Sequence, residues 1–385
     1  MIAAKVLADS KNEFGDRITS VVVTFPRFIL AELNTHSVFS RNSASSRAIP
    51  FKKMLKSVQE NPFIPISWQK DHKGMQGVDY FSKTDKFDIA DFLEALNNIF
   101  DNDQDSIKVF KGILQGWEGT KKTLEEWWLV ARDKALEAAV LLSCFGVTKQ
   151  LCNRLLEPFM WHTVIITSSE WTNFFDLRSP QYTYLDTNRT YKSRKDLISK
   201  ERIPDVWSDS EWLSINKGQA EIHMMALAEA MWDAMNESTP KELKAGEWHI
   251  PFGDDIDSSM LSKLADKEGE GSFKDGNILK SISQEWVNEN RIKIATARCA
   301  RVSYTVVGED KEHSFEKDIE LHDKFLNQKP FHASPFEHCA RAMNESEYGN
   351  IGTIEMPDET CLSVGWSRNF KGFIQYRAIA ETMSK

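Results

Sequence analysis

The chain predicts an α/β fold of the α+β kind, an antiparallel or mixed sheet flanked by helices, on three observations. Two strand-like apolar runs, IAAKVLAD and RITSVVVTF, follow one another across a short polar turn at Asn12 to Asp16, the arrangement of an antiparallel pair. A third run, HTVIITSS from His162, has the same β-branched character. Segments of helical spacing surround them. Leu124 to Cys144 is rich in Ala, Leu and Glu and is closed by Gly146, and QAEIHMMALAEAMWDAM lines up Met224, Leu227, Ala228, Met231, Trp232 and Met235 as one apolar stripe.

The remaining elements follow in order. Pro26 opens FILAEL, which carries the chain into THSVFSRNSASSR, Thr35 to Arg47. Phe51 to Val78, punctuated by Pro62, Pro65, Gly74 and Gly77, reads as a long loop. Helices are expected over Ile89 to Phe100 and from Lys149 toward Glu157, where Pro158 would end the second. SEWTNFFDLR reads as a helix capped by Ser168 or Ser169, with Glu170 in its first turn. Ser179 to Gly218, charged and rich in Tyr and Lys, reads as an insertion. Pro240 to Gln284 reads as a mixed connector with DKEGEGSFKDGN as a flexible loop, Trp286 to Arg301 and Phe315 to Asn327 as helices, and Glu355 to Arg377 as strands turned at Gly365 and Gly372. The organisation expected is a strand pair and polar segment (1–50), a loop and helical region (51–145), a second part of the core carrying the insertion (146–236), a connector (237–290) and a last core segment with the tail (291–385).

Composition bounds the function. With 48 basic against 57 acidic residues, a net charge of −9, the chain is a poor candidate for nucleic acid polymers or acidic lipid surfaces. Small phosphorylated substrates stay open to it, because a few local arginines suffice for them. The N-terminus lacks a basic-then-apolar pattern, and no apolar run approaches the ~20 residues of a membrane helix, so no membrane partner and a cytoplasmic location are expected. Five scattered cysteines without a C-x-x-C pair read as reduced thiols. His332 and His338 match no common zinc spacing, and no metal is expected.

The polar segment Thr35 to Arg47 packs a His, two Arg and six hydroxyl side chains into thirteen residues. Arg47 beside Ser45 and Ser46 has the chemistry to grip a phosphate, a planar guanidinium fork with hydroxyl and backbone N–H donors. Taken alone, a Ser-rich surface turn is an equal reading of the same residues. Asn173 and Arg178, five apart on one helix, would reach different parts of a bound ligand pair.

THSVFSRNSASSR resembles the signature of the flavin-dependent thymidylate synthases (the ThyX family), written R-H-R, seven residues, S, and then an Arg two residues on. His36, Ser45 and Arg47 match it, while Thr35 and Ser37 stand where its two leading arginines fall. ARVSY (Ala300 to Tyr304), HASPFEH (His332 to His338), NRLLEP (Asn153 to Pro158), TNFFDLR (Thr172 to Arg178) and QAEI (Gln219 to Ile222) are similar to five further blocks of the family. ARVSY and HASPFEH ordinarily precede the signature and here come last. The chain therefore resembles a long, circularly permuted, virus-type subgroup that shares the NTH-x-x-FSRNSASSRAIP opening and a WSRNFKGFIQYR-like tail, with the joint of the permutation in the connector.

The resemblance implies a ThyX-like fold and reductive methylation of dUMP to dTMP, with FAD as cofactor, NADPH and methylenetetrahydrofolate as co-substrates, and a homotetramer as the assembly. Carried over by position, Ser45, Ser46 and Arg47 bind the nucleotide, Arg154 does so across a subunit interface, and Glu32 takes a substrate-side position often held by Gln. Arg178 is the catalytic residue implied, an arginine that binds the pyrimidine and draws charge toward its carbonyls. His36, Ser37, Asn42, Asn173 and His332 fall on the flavin side. For His332 and Asn173 a plain helix-capping role is the alternative. The departures at Thr35, Ser37, Ser43 and Glu32 keep other activities in view: a flavin-dependent pyrimidine hydroxymethylase or dCMP methylase for modified viral DNA, or a non-catalytic nucleotide-binding homologue.

Overall fold

A computed structural model describes residues 1–385 except 74–76, 78, 89–95, 97–98, 101–102, 115–119, 204–206, 269–282, 308–313, 351–364 and 384–385. The fold is mixed α/β. Its main sheet has five strands in the spatial order Lys241–Leu243, Ala3–Asn12, Arg17–Pro26, Trp161–Ser168, Ser40–Ser43. The first two are parallel and all other neighbours are antiparallel. The expected turn closes the first hairpin. Asn12 Oδ1 accepts the N–H groups of Phe14 and Asp16, and Gly15 takes a φ of +89°, which a side chain would resist.

Period-two alternation in the Arg17–Pro26 strand feeds two cores. Val21, Val23 and Phe25 lie on one face with Val164 and Ile166, under the Met224, Leu227 and Met231 stripe of the Ile222–Glu237 helix. Ile18 lies on the other face, packed with Leu243, Ala340, Ala342 and Phe373. Those last residues bring in a second sheet, with strands Trp248–His249, Ala340–Ala342 and Phe373–Gln375. Between the sheets runs a buried chain of hydrogen bonds. Ser10 Oγ meets His249 Nδ1 at 2.9 Å, His249 Nε2 meets Ser20 Oγ at 2.8 Å, Ser20 Oγ meets Thr167 Oγ1 at 2.6 Å, and Thr167 Oγ1 meets His338 Nδ1 at 2.9 Å.

The polar signature ends up on the Ser40–Ser43 strand and the turn after it, at the edge of the main sheet. Asn42 Nδ2 donates to the Cys299 carbonyl at 3.1 Å, and the Ser45 N–H donates to the Ser303 carbonyl at 3.1 Å. ARVSY, remote in sequence, is thereby the immediate neighbour of the signature.

Several expectations are corrected. Phe51–Glu60 is a helix and not loop: Pro50 supplies the pre-set φ of its N-terminal turn, and Met54 and Val58 are buried one turn apart behind a lysine-rich outer face. After Lys149–Cys152 the chain tightens to a 3-10 helix, Asn153–Phe159, that runs through Pro158, while Asn153 donates to the Ser46 and Ile49 carbonyls. The TNFFDLR helix begins at Thr172, because Ser168 closes a turn onto Glu170 and the Glu170 carboxylate accepts the Thr172 N–H. The connector contributes the strands Lys241–Leu243 and Trp248–His249 and the helix Ser258–Glu268. Its flexible loop falls outside the described residues beyond that helix, as does most of Ile89 to Phe100. Of the strands expected from Glu355 to Arg377, residues 355–364 lie outside the described residues; from Gly365 the tail forms short strands to Gln375 with turns at Gly365 and Gly372, and then a helix, Tyr376–Met383, where Tyr376 and Arg377 were expected to be strand. Ser179 to Gly218 has a small core of its own, Tyr182, Tyr191, Leu197 and Trp212.

Candidate functional site

The turn after the Ser40–Ser43 strand and the Asn153–Phe159 helix enclose a polar cleft of about 440 Å³. Ser45, Ser46, Arg47 and Arg154 line it, so four of the residues expected to bind nucleotide meet in one place. The turn is held from below. Asn153 binds the Ser46 and Ile49 carbonyls at 2.6 and 3.0 Å, and Lys149 Nζ binds that of Ala48 at 2.9 Å.

Arg27 and Glu157 also line the cleft, and sequence reading missed both. Arg27 follows the end of its strand, at the start of a 3-10 turn, and its only local signal was Pro26 before it. Ser46 Oγ donates to Glu157 Oε1 at 2.5 Å, and Arg27 lies 3.7 Å from Glu157 Oε2, with its buried Nε free of any hydrogen-bond partner. Three guanidiniums therefore face one carboxylate. An oxyanion entering this cleft meets a surplus of fork-shaped cationic donors with serine hydroxyls beside them.

A second cluster gathers where the signature begins. Arg178 Nε donates to His36 Nε2 at 3.2 Å, and Arg178 Nη2 donates to Thr35 Oγ1 at 3.3 Å. With Nε2 as acceptor, His36 is neutral and carries its proton on Nδ1. Burial first, then Arg178 and Arg41, lower its pKa from the ordinary histidine value. The ring is buried between Phe39 and Phe174. Glu32 is pushed the other way, upward, by burial and by Glu221, with Arg178 and His223 opposing. Glu221 also accepts a 2.6 Å bond from His223 Nδ1, and His223 Nε2 accepts the Ile66 N–H at 3.0 Å.

The two clusters lie apart: none of Glu32, Thr35, His36 and Arg178 is among the described residues that line the cleft. His36 precedes and Ser45 follows the four-residue Ser40–Ser43 strand, which alone spans about 13 Å. Asn42 is buried, and its amide serves the Cys299 carbonyl. Ser37 and Asn173 are exposed, as is His332, whose ring leans on Phe325. Neither capping alternative describes the structure: the N-cap of the Ser334–Glu337 turn is Ala333, and that of the Thr172–Arg178 helix is Trp171.

No helix among the described residues is long and apolar enough to cross a membrane. A scan against protein families finds no match, nor does a search of curated proteins. Among solved structures the chain is similar to the UMP/dUMP methylase PolB from Streptomyces cacaoi bound with 5-Br dUMP, at 11% sequence identity and a TM-score of 0.31, over 62% of this chain and 98% of that one. It is also similar to the same methylase bound with 5-Br UMP, at 10% identity and a TM-score of 0.29, over 62% and 97% of the two chains.

Proposed function

We propose that this chain is a flavin-dependent pyrimidine nucleotide methylase that converts dUMP to dTMP, with FAD as cofactor and NADPH and methylenetetrahydrofolate as co-substrates. The observation that carries the reading is the cleft in which Ser45, Ser46, Arg47 and Arg154 meet, since two sequence blocks that resemble nucleotide-binding blocks line one cationic cavity. In this reading Arg47, Arg154 and Arg27 take the phosphate, and Ser45 and Ser46 orient it through their hydroxyls. Arg178 polarises the pyrimidine carbonyls with a charge that no accessible pH removes. The site is shared between copies in a homotetramer, which suits an exposed Arg154 and an Arg178 that lies beyond the signature strand from the cleft.

The donor set beside the signature fits an anionic dinucleotide: a neutral His36 with Arg41 and Arg178 close by, and exposed Asn173 and His332. FAD would supply the one-carbon and redox chemistry when bound. The chain's own part is to hold, orient and exclude water.

One observation favours a second reading. The Glu32 carboxyl lies within electrostatic reach of Arg178, and a carboxylate accepts a hydrogen bond from the exocyclic amino group of cytosine. A dCMP methylase or hydroxymethylase would use it. Mass spectrometry of products from dUMP and dCMP, with methylenetetrahydrofolate and NADPH present, separates the readings by substrate and by added mass. A colourless protein that takes up no FAD and forms no product overturns both and leaves a nucleotide-binding homologue.

A further inference from the structure

The tail segment WSRNFKGFIQYR, Trp366 to Arg377, is seated on the signature. Asn369 Nδ2 donates to the Val38 carbonyl at 3.0 Å and to Ser40 Oγ at 2.9 Å, and Gln375 Nε2 donates to Ser40 Oγ at 3.1 Å. Val38 adjoins Ser37, one of the two positions where the signature lacks an arginine. Arg368, next to Asn369, holds a φ of +56°, a conformation that disfavours any residue with a Cβ, and its side chain is 37% exposed.

Charges then alternate along this flank. Arg368 pairs with Glu381, Glu381 also accepts Arg377 Nε at 2.8 Å, and Arg377 pairs with Glu337 of HASPFEH. Glu337 in turn lies within electrostatic reach of Arg41, whose Nη1 donates to the Leu33 and His36 carbonyls. Three guanidiniums thus stand against two carboxylates beside the one buried histidine of the signature.

We propose that Arg41, Arg368 and Arg377 form a binding site for the diphosphate of a dinucleotide, the two tail arginines restoring the positive charge that Thr35 and Ser37 do not supply. The inference rests on the flavin reading above. The planar forks of Arg368 and Arg377 suit phosphate oxygens, and a diphosphate takes both by displacing the partly exposed Glu381. A ladder that served only to fasten the tail would govern stability and not the distinction between phosphorylated and unphosphorylated flavins.

The full-length protein is titrated with FAD and with riboflavin, which carries the same ring and no phosphate, by flavin fluorescence. Arg368→Gly removes the guanidinium and also relieves the left-handed backbone, so the variant keeps its fold, as thermal melting checks. Its FAD dissociation constant should rise about tenfold or more with riboflavin binding unchanged, and adding Ser37→Arg should recover much of the loss. Glu381→Gln should tighten FAD, because two guanidiniums lose their internal competitor. FAD binding that is the same with and without Arg368, or FAD and riboflavin weakened equally, overturns the proposal and leaves the flavin reading intact. An unaltered protein that binds neither flavin overturns both.

Discussion

At the scale of single residues, the assigned roles differ in whether they act on binding or on turnover. A charge-assisted bond to a phosphate contributes about 1.5–3 kcal/mol, so Arg47→Ala should weaken dUMP binding by roughly tenfold to a hundredfold in calorimetric titration. An unchanged dissociation constant would remove Arg47 from the site. Arg178→Ala should act differently: turnover falls more than affinity, since a cation aimed at the reacting base interacts most strongly as charge develops. A loss of affinity with kcat unchanged would make Arg178 a binding residue only. The cysteines are expected to be dispensable. Cys152 is buried with its thiol donating to the Val147 carbonyl, and burial pushes Cys339 up to about 12, far from the thiolate needed for attack. Cys361 lies outside the described residues.

Elements are held by a few polar contacts that can be tested one at a time. The Leu124–Cys144 helix opens on a full capping box, with Glu126 N–H to Thr123 Oγ1 at 3.2 Å and Thr123 N–H to Glu126 Oε2 at 2.7 Å. Thr123→Ala should cost about 1 kcal/mol, visible as a lower denaturation midpoint. A larger effect is expected where the Gln284–Arg301 and Phe315–Asn327 helices meet. Asp318, wholly buried, binds Arg301 Nε at 2.8 Å and lies 3.6 Å from Arg298 Nε. Asp318→Ala leaves two guanidiniums without their carboxylate and should cost about 3–5 kcal/mol. A stability loss no greater than that of Thr123→Ala would show that solvent replaces the pair.

Across the whole molecule, acid should be the condition that separates the two sheets. His249 and His338 sit in the hydrogen-bond chain between them, and burial depresses their pKa values to about 4 and about 3. His162, buried beside Arg27, is likewise held at about 3. All three are neutral in the fold and titrate near 6.5 when unfolded. The unfolded chain therefore binds more protons below that pH. Their contribution is complete above pH 6.5 and is lost as pH falls toward 4 and 3. At pH 5 each costs about 2 kcal/mol, at 1.36 kcal/mol per unit. Denaturant midpoints should be level between pH 7 and 8 and drop steeply by pH 5. His338→Asn, which keeps a partner for Thr167 without a proton to gain, should flatten part of that slope; an identical pH profile would remove His338 from the account.

Local pattern sufficed for the first hairpin, the Trp161–Ser168 strand and the Leu124–Cys144, Ile222–Glu237 and Phe315–Asn327 helices, because periodicity and capping are encoded within a few residues of where they act. It also marked Ser45, Ser46 and Arg47 as a phosphate-gripping chemistry, whereas Arg154 was singled out only by the family resemblance. Tertiary structure decided what no window contains. Arg27 and Glu157 enter the cleft only because two distant segments cross there, Phe51–Glu60 becomes helical because Met54 and Val58 find a core, and Lys241–Leu243 becomes a strand because Ala3–Asn12 offers it an edge. A side chain's partners are set by chain crossings, and those depend on the packing of the entire sheet: the segments of Ser37 and Arg368, far apart in sequence, are joined by the bond from Asn369 to the Val38 carbonyl.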